Sequence, residues 1–129
     1  MKNTTPPVRR TERIRSDAQR FEALKRELLD LDYFAKGTVL KRMMKCGNQQ
    51  CPCHRHPDKR HGPYWECTYK VRNKTVNVKL YPETAPLYQA AVHQHRKLKS
   101  ILAQMERLSR SALARLAREK LRRETPGVS

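Results

Sequence analysis

The stretch CGNQQCPCHRHPDKRHGPY, residues 46–64, decides how this chain folds. Three cysteines, Cys46, Cys51 and Cys53, lie within eight positions of one another there. Structural zinc takes four thiolate or imidazole ligands in a tetrahedron. The glycine after the first cysteine and the proline between the next two suit the tight turns that such a site needs. The stretch therefore predicts a structural zinc site with three cysteine ligands and one histidine ligand.

The fourth ligand is predicted to be His61. It stands immediately before Gly62-Pro63, a rigid turn that can aim the imidazole back at the loop while the chain enters a strand at Tyr64. His54 and His56 lie so close to Cys53 in sequence that the connecting loop is short for both residues to bind one metal ion. The alternatives that stay open are His54, His56 and Cys67.

The composition supports a metal rather than disulfides. The 129 residues include 29 Lys and Arg against 12 Asp and Glu, a formal net charge of +17. No apolar run is long enough to cross a membrane, and the start of the chain has no secretion signal, so we expect a cytoplasmic, nucleoid-associated protein in which thiols stay reduced. Only 37% of the residues are apolar, so a bound metal would contribute directly to folding.

Outside this stretch, period-2 and period-3.6 patterns predict the other elements. Residues 64–71 and 76–81 alternate between apolar and polar side chains around a polar break, which predicts a β-hairpin with Cys67 on its apolar face. The predicted organisation is a disordered basic arm over 1–10, helix one over 11–36, a zinc-loop and β-hairpin module over 37–82, a long basic helix over 83–123 and a tail over 124–129.

Both helices carry a heptad-like apolar stripe. Helix one has Ile14, Phe21 and Leu24 on one face and is expected to end at Gly37, whereas the long helix has a stripe that includes Ile101 and Leu108. We therefore predict an α+β fold, in which an antiparallel, coiled-coil-like helix pair flanks a zinc knuckle and a β-hairpin. A homodimeric coiled coil is the competing arrangement.

These motifs also resemble a known family. The C-G-x3-C-x-C pattern at Cys46–Cys53, followed by His61-Gly62-Pro63-Tyr64 and a long basic helix, resembles a small prokaryotic family of unknown function over about residues 20 to 115. Its members are often found near transposases and integrases. The resemblance implies the same four zinc ligands and a link to mobile elements, and it implies no activity.

The charge points to nucleic acid, because a protein that neutralises phosphates releases condensed counterions. We expect a zinc-stabilised DNA-binding accessory protein of transposition, recombination or transcription, with DNA favoured over RNA. The alternatives are an RNA or single-strand binder, and an interaction subunit that joins a recombinase, a transposase or a second copy. We expect neither an enzyme nor a membrane partner, since a Cys3His zinc is normally closed to substrate. The predicted contact residues are Arg9, Arg10, Arg13, Arg15, Lys41, Arg42, Lys45, Arg55, Lys59, Arg60, Lys70, Arg72, Lys74 and Lys79.

Overall fold

A computed structural model describes residues 6–124, with side chains from Arg10 onward. The predicted α+β class is confirmed. The elements in chain order are helix α1 at Pro6–Leu29, strand β1 at Thr38–Met44, two short 3-10 turns at Pro52–His54 and Pro57–Lys59, strand β2 at His61–Val71, strand β3 at Lys74–Leu80 and helix α2 at Ala85–Glu124.

The three strands form one antiparallel sheet in the order β1-β2-β3. β2 and β3 form the predicted hairpin, and their turn places Arg72 and Asn73 at φ of 51° and 66°. Two successive positive φ values are characteristic of the type I′ turn, whose twist matches that of a two-residue hairpin. The segment before the cysteines supplies the third strand, so the sheet is larger than a hairpin alone.

One face of the sheet is closed by the start of α2. Cys67 and Leu80 are buried there with Ala85 and Val92 of α2, and Val39, Trp65 and Val78 pack against them. The predicted apolar face of β2 is therefore confirmed. These residues belong to a compact unit that runs from Asp32 to Lys97, which we call the sheet unit.

The second unit contains α1 and the part of α2 from Leu98 onward, and we call it the helix-pair unit. Leu24 of α1 and Ile101 and Leu108 of α2 are buried against one another. Asp17 pairs with Arg115, so residues early in α1 meet residues late in α2. The helices of this unit are therefore antiparallel, as the two stripes predict.

Helix one differs from its predicted bounds of 11–36. It begins at Pro6 because proline is well tolerated in the first turn, where the backbone N–H has no partner. It ends at Leu29 because α2 competes for the next segment: the Asp32 N–H donates to the Gln94 side chain at 3.0 Å and the Ala35 N–H to the Ala91 carbonyl at 3.1 Å. Asp30 consequently forms a final turn, and residues 31–36 connect it to β1 without regular secondary structure.

Gly37 begins the approach to β1 rather than capping helix one. Its φ is +145°, and a Cβ there would lie 2.8 Å from the Thr68 carbonyl oxygen and 3.0 Å from Cys67 Sγ. Only glycine tolerates this conformation and this close approach.

The predicted arm over 1–10 lies partly outside the described residues, and α1 begins inside it at Pro6. The long helix, predicted over 83–123, runs from Ala85 to Glu124 as α2, whereas the tail lies outside the described residues from 125 onward. Among the residues 6–124, no helix has the length and apolar character that a bilayer span requires.

Candidate metal centre

The metal loop, residues 45–60, connects β1 to β2 and closes the hairpin that these strands form. Met44, the last residue of β1, lies opposite His61, the first residue of β2. Cys46 therefore stands just beyond one strand end and His61 at the other. A metal bound to both would hold the two ends of the loop together.

The four predicted ligand side chains converge. The Sγ atoms of Cys46, Cys51 and Cys53 and a ring nitrogen of His61 all lie within 4.8 Å of one another. Cys46 Sγ is 3.7 Å from Cys53 Sγ, and Cys51 Sγ is 3.3 Å from His61 Nε2. A zinc tetrahedron with metal bonds of about 2.3 Å to sulfur and 2.0 Å to nitrogen has edges of about 3.8 Å and 3.5 Å. The cluster can therefore hold one tetrahedral metal ion.

Local turns bring the two central cysteines into this position. The Asn48 carbonyl accepts a hydrogen bond from the Cys51 N–H at 3.0 Å, and the Asn48 side chain accepts one from the Gln50 N–H at 3.0 Å. Pro52 then starts a 3-10 turn, because the fixed φ of proline suits the first position of a helical turn. Because the chain turns twice, Cys51 and Cys53 present their sulfur atoms to the same point.

A bulge at the start of β2 orients the fourth ligand. The pairing passes from Arg42–Tyr64 to Met44–His61, so β2 contains one more residue than β1 over this interval. Gly62, at φ +130°, lies in the bulge. Bulges redirect neighbouring side chains, and this one replaces the simple turn that the sequence predicts before a strand beginning at Tyr64.

Hydrogen bonds around the cluster support its geometry. The Cys46 N–H donates to Cys53 Sγ at 3.3 Å, and His54 Nε2 lies 2.9 Å from the Cys46 carbonyl oxygen. Such outer contacts orient metal ligands. His54 thus contacts the backbone of a ligand and is not a member of the cluster.

The thiol pKa values differ within the cluster. A hydrogen bond from the Cys53 backbone N–H, together with the His61 ring, lowers the pKa of Cys51 from 9.0 to about 6. Burial raises the pKa of Cys53 above 9.0. Thiolate is the form that binds metal, so the hydrogen bonds favour the metal-binding form of Cys51.

The two remaining alternatives lie outside the cluster. Burial raises the pKa of Cys67, whose thiol lies in the apolar core under Gly37. His56 is exposed at the start of the second 3-10 turn. Among the described residues, the cluster contains only the four predicted ligands.

The predicted nucleic-acid contacts do not form one patch. Arg42, Lys70 and Lys79 lie on the sheet face opposite to Cys67, which we call the open face, whereas Lys41 lies on the other face with its Nζ 5.6 Å from the Trp65 ring centre. The remaining sheet-unit residues are in the metal loop (Lys45, Arg55, Lys59 and Arg60) and in the β2–β3 turn or beside it (Arg72 and Lys74). Arg10, Arg13 and Arg15 are on α1, and the side chain of Arg9 lies outside the described residues.

The open face is the feature that sequence reasoning missed. Thr38, Thr68 and Asn77 form a row across the three strands of this face, between Lys79 and Lys70. Arg42 pairs there with Glu66 at 3.0 Å, so its charge is partly balanced. The alternating polar residues of β2 and β3 indicate two strands of this face. The residues that β1 adds to it are defined only by the pairing of β1 with β2.

Comparison with known proteins identifies the family but not an activity. A domain of unknown function (DUF6788) matches residues 10–90, so the chain belongs to this family. The matched range includes the complete metal cluster and the sheet, and it ends in the first turns of α2. No curated protein and no solved structure shows significant similarity to the chain.

Proposed function

We propose that the protein is a zinc-stabilised nucleic-acid-binding accessory protein whose preferred partner is duplex DNA. The observation that supports it best is the open face of the sheet. This face carries Lys70 and Lys79 beside hydroxyl and amide side chains, while α2 covers the opposite face. A sheet face of this composition offers phosphates both charge and hydrogen-bond donors.

Zinc is the metal that fits the donor set. Three thiolates and one imidazole select soft or borderline metals, and tetrahedral S3N coordination is typical of structural zinc. The Cys46–Cys53 and Cys51–His61 distances, 3.7 Å and 3.3 Å, lie close to the edges of about 3.8 Å and 3.5 Å that zinc bond lengths require. Its role in this proposal is to close the metal loop and hold β1 against β2.

Phosphate contacts supply most of the affinity in this proposal. The net charge of +17 favours any polyanion at long range. At short range, Lys70 and Lys79 make no ion pair within the described part of the chain, so both ammonium groups remain available. The basic residues of the metal loop extend the same sheet unit.

A second candidate, binding of RNA or single-stranded DNA, is favoured by two exposed aromatic side chains. Tyr64 is 41% exposed on the open face, and Tyr81 is 65% exposed just after β3. Bases stack on such rings without sequence preference. Trp65 and Tyr69 belong to the covered face, which leaves few rings for this purpose and makes duplex DNA the first choice.

The biological process is proposed from the resemblance in the metal-loop motif. The resemblance implies a link to mobile elements, so the proposed role is that of an accessory protein in transposition, recombination or transcription of a mobile element, acting in the nucleoid. We propose binding without catalysis, because four protein ligands leave zinc no open position for a substrate.

The test compares two double variants of the zinc-loaded full chain. Lys70→Ala with Lys79→Ala removes two charges from the open face, and Lys97→Ala with Lys99→Ala removes two exposed charges from α2. Anisotropy of a labelled duplex is measured across a salt series. We expect the open-face variant to bind about tenfold more weakly, with a salt slope reduced by about two, because each lost phosphate contact lowers the slope by about one.

The matched α2 variant should retain most of the affinity. Equal losses in both variants would show that the total charge, and not the open face, determines binding. Single-stranded DNA and hairpin RNA serve as competitors. If Tyr64→Ala weakens binding of these competitors and the wild type prefers them to duplex, the second candidate replaces the first.

A further inference from the structure

Helix α2 has two apolar stripes in the helix-pair unit, and the side chains described from Arg10 to Glu124 cover one of them. Ile101 and Leu108 pack on α1 and are 1% and 7% exposed. Leu102, Leu113 and Leu116 lie about 100° further around the helix, as their spacing at 3.6 residues per turn requires. They remain 50%, 63% and 48% exposed. A helix with two adjacent stripes is suited to contact a further helix besides α1.

Leu113 and Leu116 of the exposed stripe lie in one wall of a groove between the helices. Ile14, Ala18 and Phe21 of α1 form the other wall, and the groove encloses about 450 Å³. The opposite flank of the same helix pair has a groove of about 420 Å³ with polar walls that include Arg20, Glu27 and Arg107. The two flanks therefore differ in chemistry, and only the first one, which we call the apolar groove, has the lining of a helix-docking surface.

The apolar stripe also continues toward the other end of the helix pair. Leu29 of α1 is 84% exposed. It lies three turns from Ala18 on the same face of α1, and the antiparallel packing brings it toward Leu102. From Leu102 to Leu116 the stripe runs about 21 Å at 1.5 Å per residue. A helix of about four turns would cover it.

The charges around the apolar groove select the occupant. Its acidic side chains are already paired within the chain, Asp17 with Arg115 and Glu22 with Lys25. Arg15, next to Ile14, and Lys120, one turn beyond Leu116, make no ion pair with any described residue. The rim therefore attracts acidic side chains. A second copy would place the same cationic rims against each other, which costs free energy.

We propose that the apolar groove binds an amphipathic helix of a partner protein, about four turns long, with leucine-like residues on one face and acidic residues beside them. The leucines would enter between α1 and α2, and the acidic residues would meet Arg15 and Lys120. This docking surface belongs to the helix-pair unit, whereas the open face belongs to the sheet unit.

The test uses three labelled peptides of about 16 residues. The first has leucine at helical spacing with glutamate flanks, the second has lysine in place of glutamate, and the third is a scrambled form of the first. We expect the zinc-loaded full chain to bind the first peptide at least about tenfold more tightly than the other two. Equal binding of the glutamate and lysine peptides, or no preference over the scrambled one, would overturn the proposal.

Two substitutions locate the contact. Leu113→Gln should weaken binding about tenfold, whereas Leu87→Gln, which changes a leucine that is 70% exposed in the sheet unit, should leave it unchanged. Because both leucines are largely exposed, neither change should unfold the chain. If Leu113→Gln nevertheless lowers helicity, Arg15→Glu with Lys120→Glu supplies the second measurement, since this variant should reverse the preference toward the lysine peptide.

Sedimentation of the wild type tests whether the apolar groove is instead occupied by a second copy of this chain. A monomer at micromolar concentration supports a foreign helix, whereas a dimer that Leu113→Gln dissociates would assign the groove to a second copy and contradict the proposal. Binding of the glutamate peptide that Leu113→Gln does not weaken would place the contact elsewhere and would also contradict it.

Discussion

Gly62 connects the backbone of the sheet to the metal cluster. It has φ +130°, and a Cβ there would lie 2.7 Å from the Arg42 carbonyl oxygen across the bulge. The positive φ is unfavourable for any residue with a Cβ. The close contact cannot be relieved by rotating a side chain, because the Arg42 oxygen belongs to the backbone. The orientation of His61 thus depends on the absence of a side chain at the next residue.

We expect Gly62→Ala to lower the free energy of unfolding by about 1–3 kcal/mol and to weaken zinc binding, because the bulge must shift. Gly47→Ala is the matched control, since a Cβ at Gly47 meets nothing within 4 Å, and its effect should stay within about 0.5 kcal/mol. Urea unfolding and a chelator competition measure both quantities. Identical results for the two variants would refute the role assigned to the bulge.

Cys53 and Cys67 provide a comparison of two buried thiols, one inside the metal cluster and one in the apolar core. Their exposed fractions are 0% and 3%. Cys53→Ala should abolish stoichiometric zinc, because a tetrahedral site loses one of its four ligands. Cys67→Ala should retain one zinc per chain and lose only about 1 kcal/mol of stability from core packing. Metal analysis of the two purified variants shows which of the two cysteines binds zinc. Full zinc content in the Cys53→Ala variant would exclude Cys53 as a ligand.

The helix pair depends on one buried ion pair as well as on its apolar stripe. Arg115 Nη1 donates to both carboxylate oxygens of Asp17, at 2.6 Å and 2.5 Å, and the Asp17 side chain is only 7% exposed. An isolated carboxylate in that position would lose most of its hydration. The pair therefore selects the antiparallel register in which these two residues meet.

Arg115→Ala should cost about 2 kcal/mol, less than the loss for a fully buried pair because the Arg115 side chain is 29% exposed. Arg118→Ala removes an exposed arginine three residues further along α2 that makes no ion pair among the described residues. Its unfolding midpoint should match that of the wild type. If the midpoint in urea falls equally in both variants, the loss reflects helix charge and not the pair with Asp17.

The last turns of α2 carry the pH-dependent element. Hydrogen bonds from Arg122 at 2.8 Å and 2.7 Å hold the pKa of Glu119 below its ordinary 4.5, with smaller contributions from Arg123 and from Arg10 on α1. A carboxylate with a lowered pKa in the folded state stabilises that state above pH 4.5, and this contribution is lost as the pH falls through the lowered pKa.

Glu119→Gln should consequently flatten the dependence of the melting temperature on pH below about pH 5. The wild type should lose more stability than this variant on acidification, while the two curves run parallel near neutral pH. Glu124→Gln is the control, because Glu124 makes no ion pair among the described residues. A Glu119→Gln curve that runs parallel to the wild type throughout would contradict the contribution of these arginines.

Across the whole molecule, the small core would make a bound metal important for stability. Only eight apolar side chains are buried among the described residues, and one of them is the cluster residue Cys53. Structural zinc contributes roughly 10–16 kcal/mol of apparent binding energy in small domains, whereas whole domains are stable by about 5–15 kcal/mol. Metal binding can therefore equal the entire stability of such a chain.

Removing zinc with a strong chelator should accordingly unfold the metal loop and separate β1 from β2. We expect hydrogen exchange to show loss of protection for the amides of Thr38–Met44 and His61–Val71, with recovery when zinc is restored. Affinity for duplex DNA should fall in parallel. Unchanged protection in both strands after chelation would show that the sheet does not require the metal.

The sequence alone determined the features whose pattern is local. Ligand spacing, period-2 alternation and heptad stripes each arise from neighbouring residues, so they identified the four cluster residues, the β2–β3 hairpin and the long helix α2. The bounds of helix one could not be obtained in this way, because its end depends on hydrogen bonds from residues 32–35 to Ala91 and Gln94 in α2.

Only the tertiary structure decided which distant segments meet. The pairing of β1 with β2 created the open face and the bulge at Gly62, the meeting of α1 with α2 created the apolar groove, and both depend on contacts between residues far apart in the chain. Local propensity does not encode such contacts. They follow from the burial of apolar side chains and the pairing of backbone groups once the whole chain is compact.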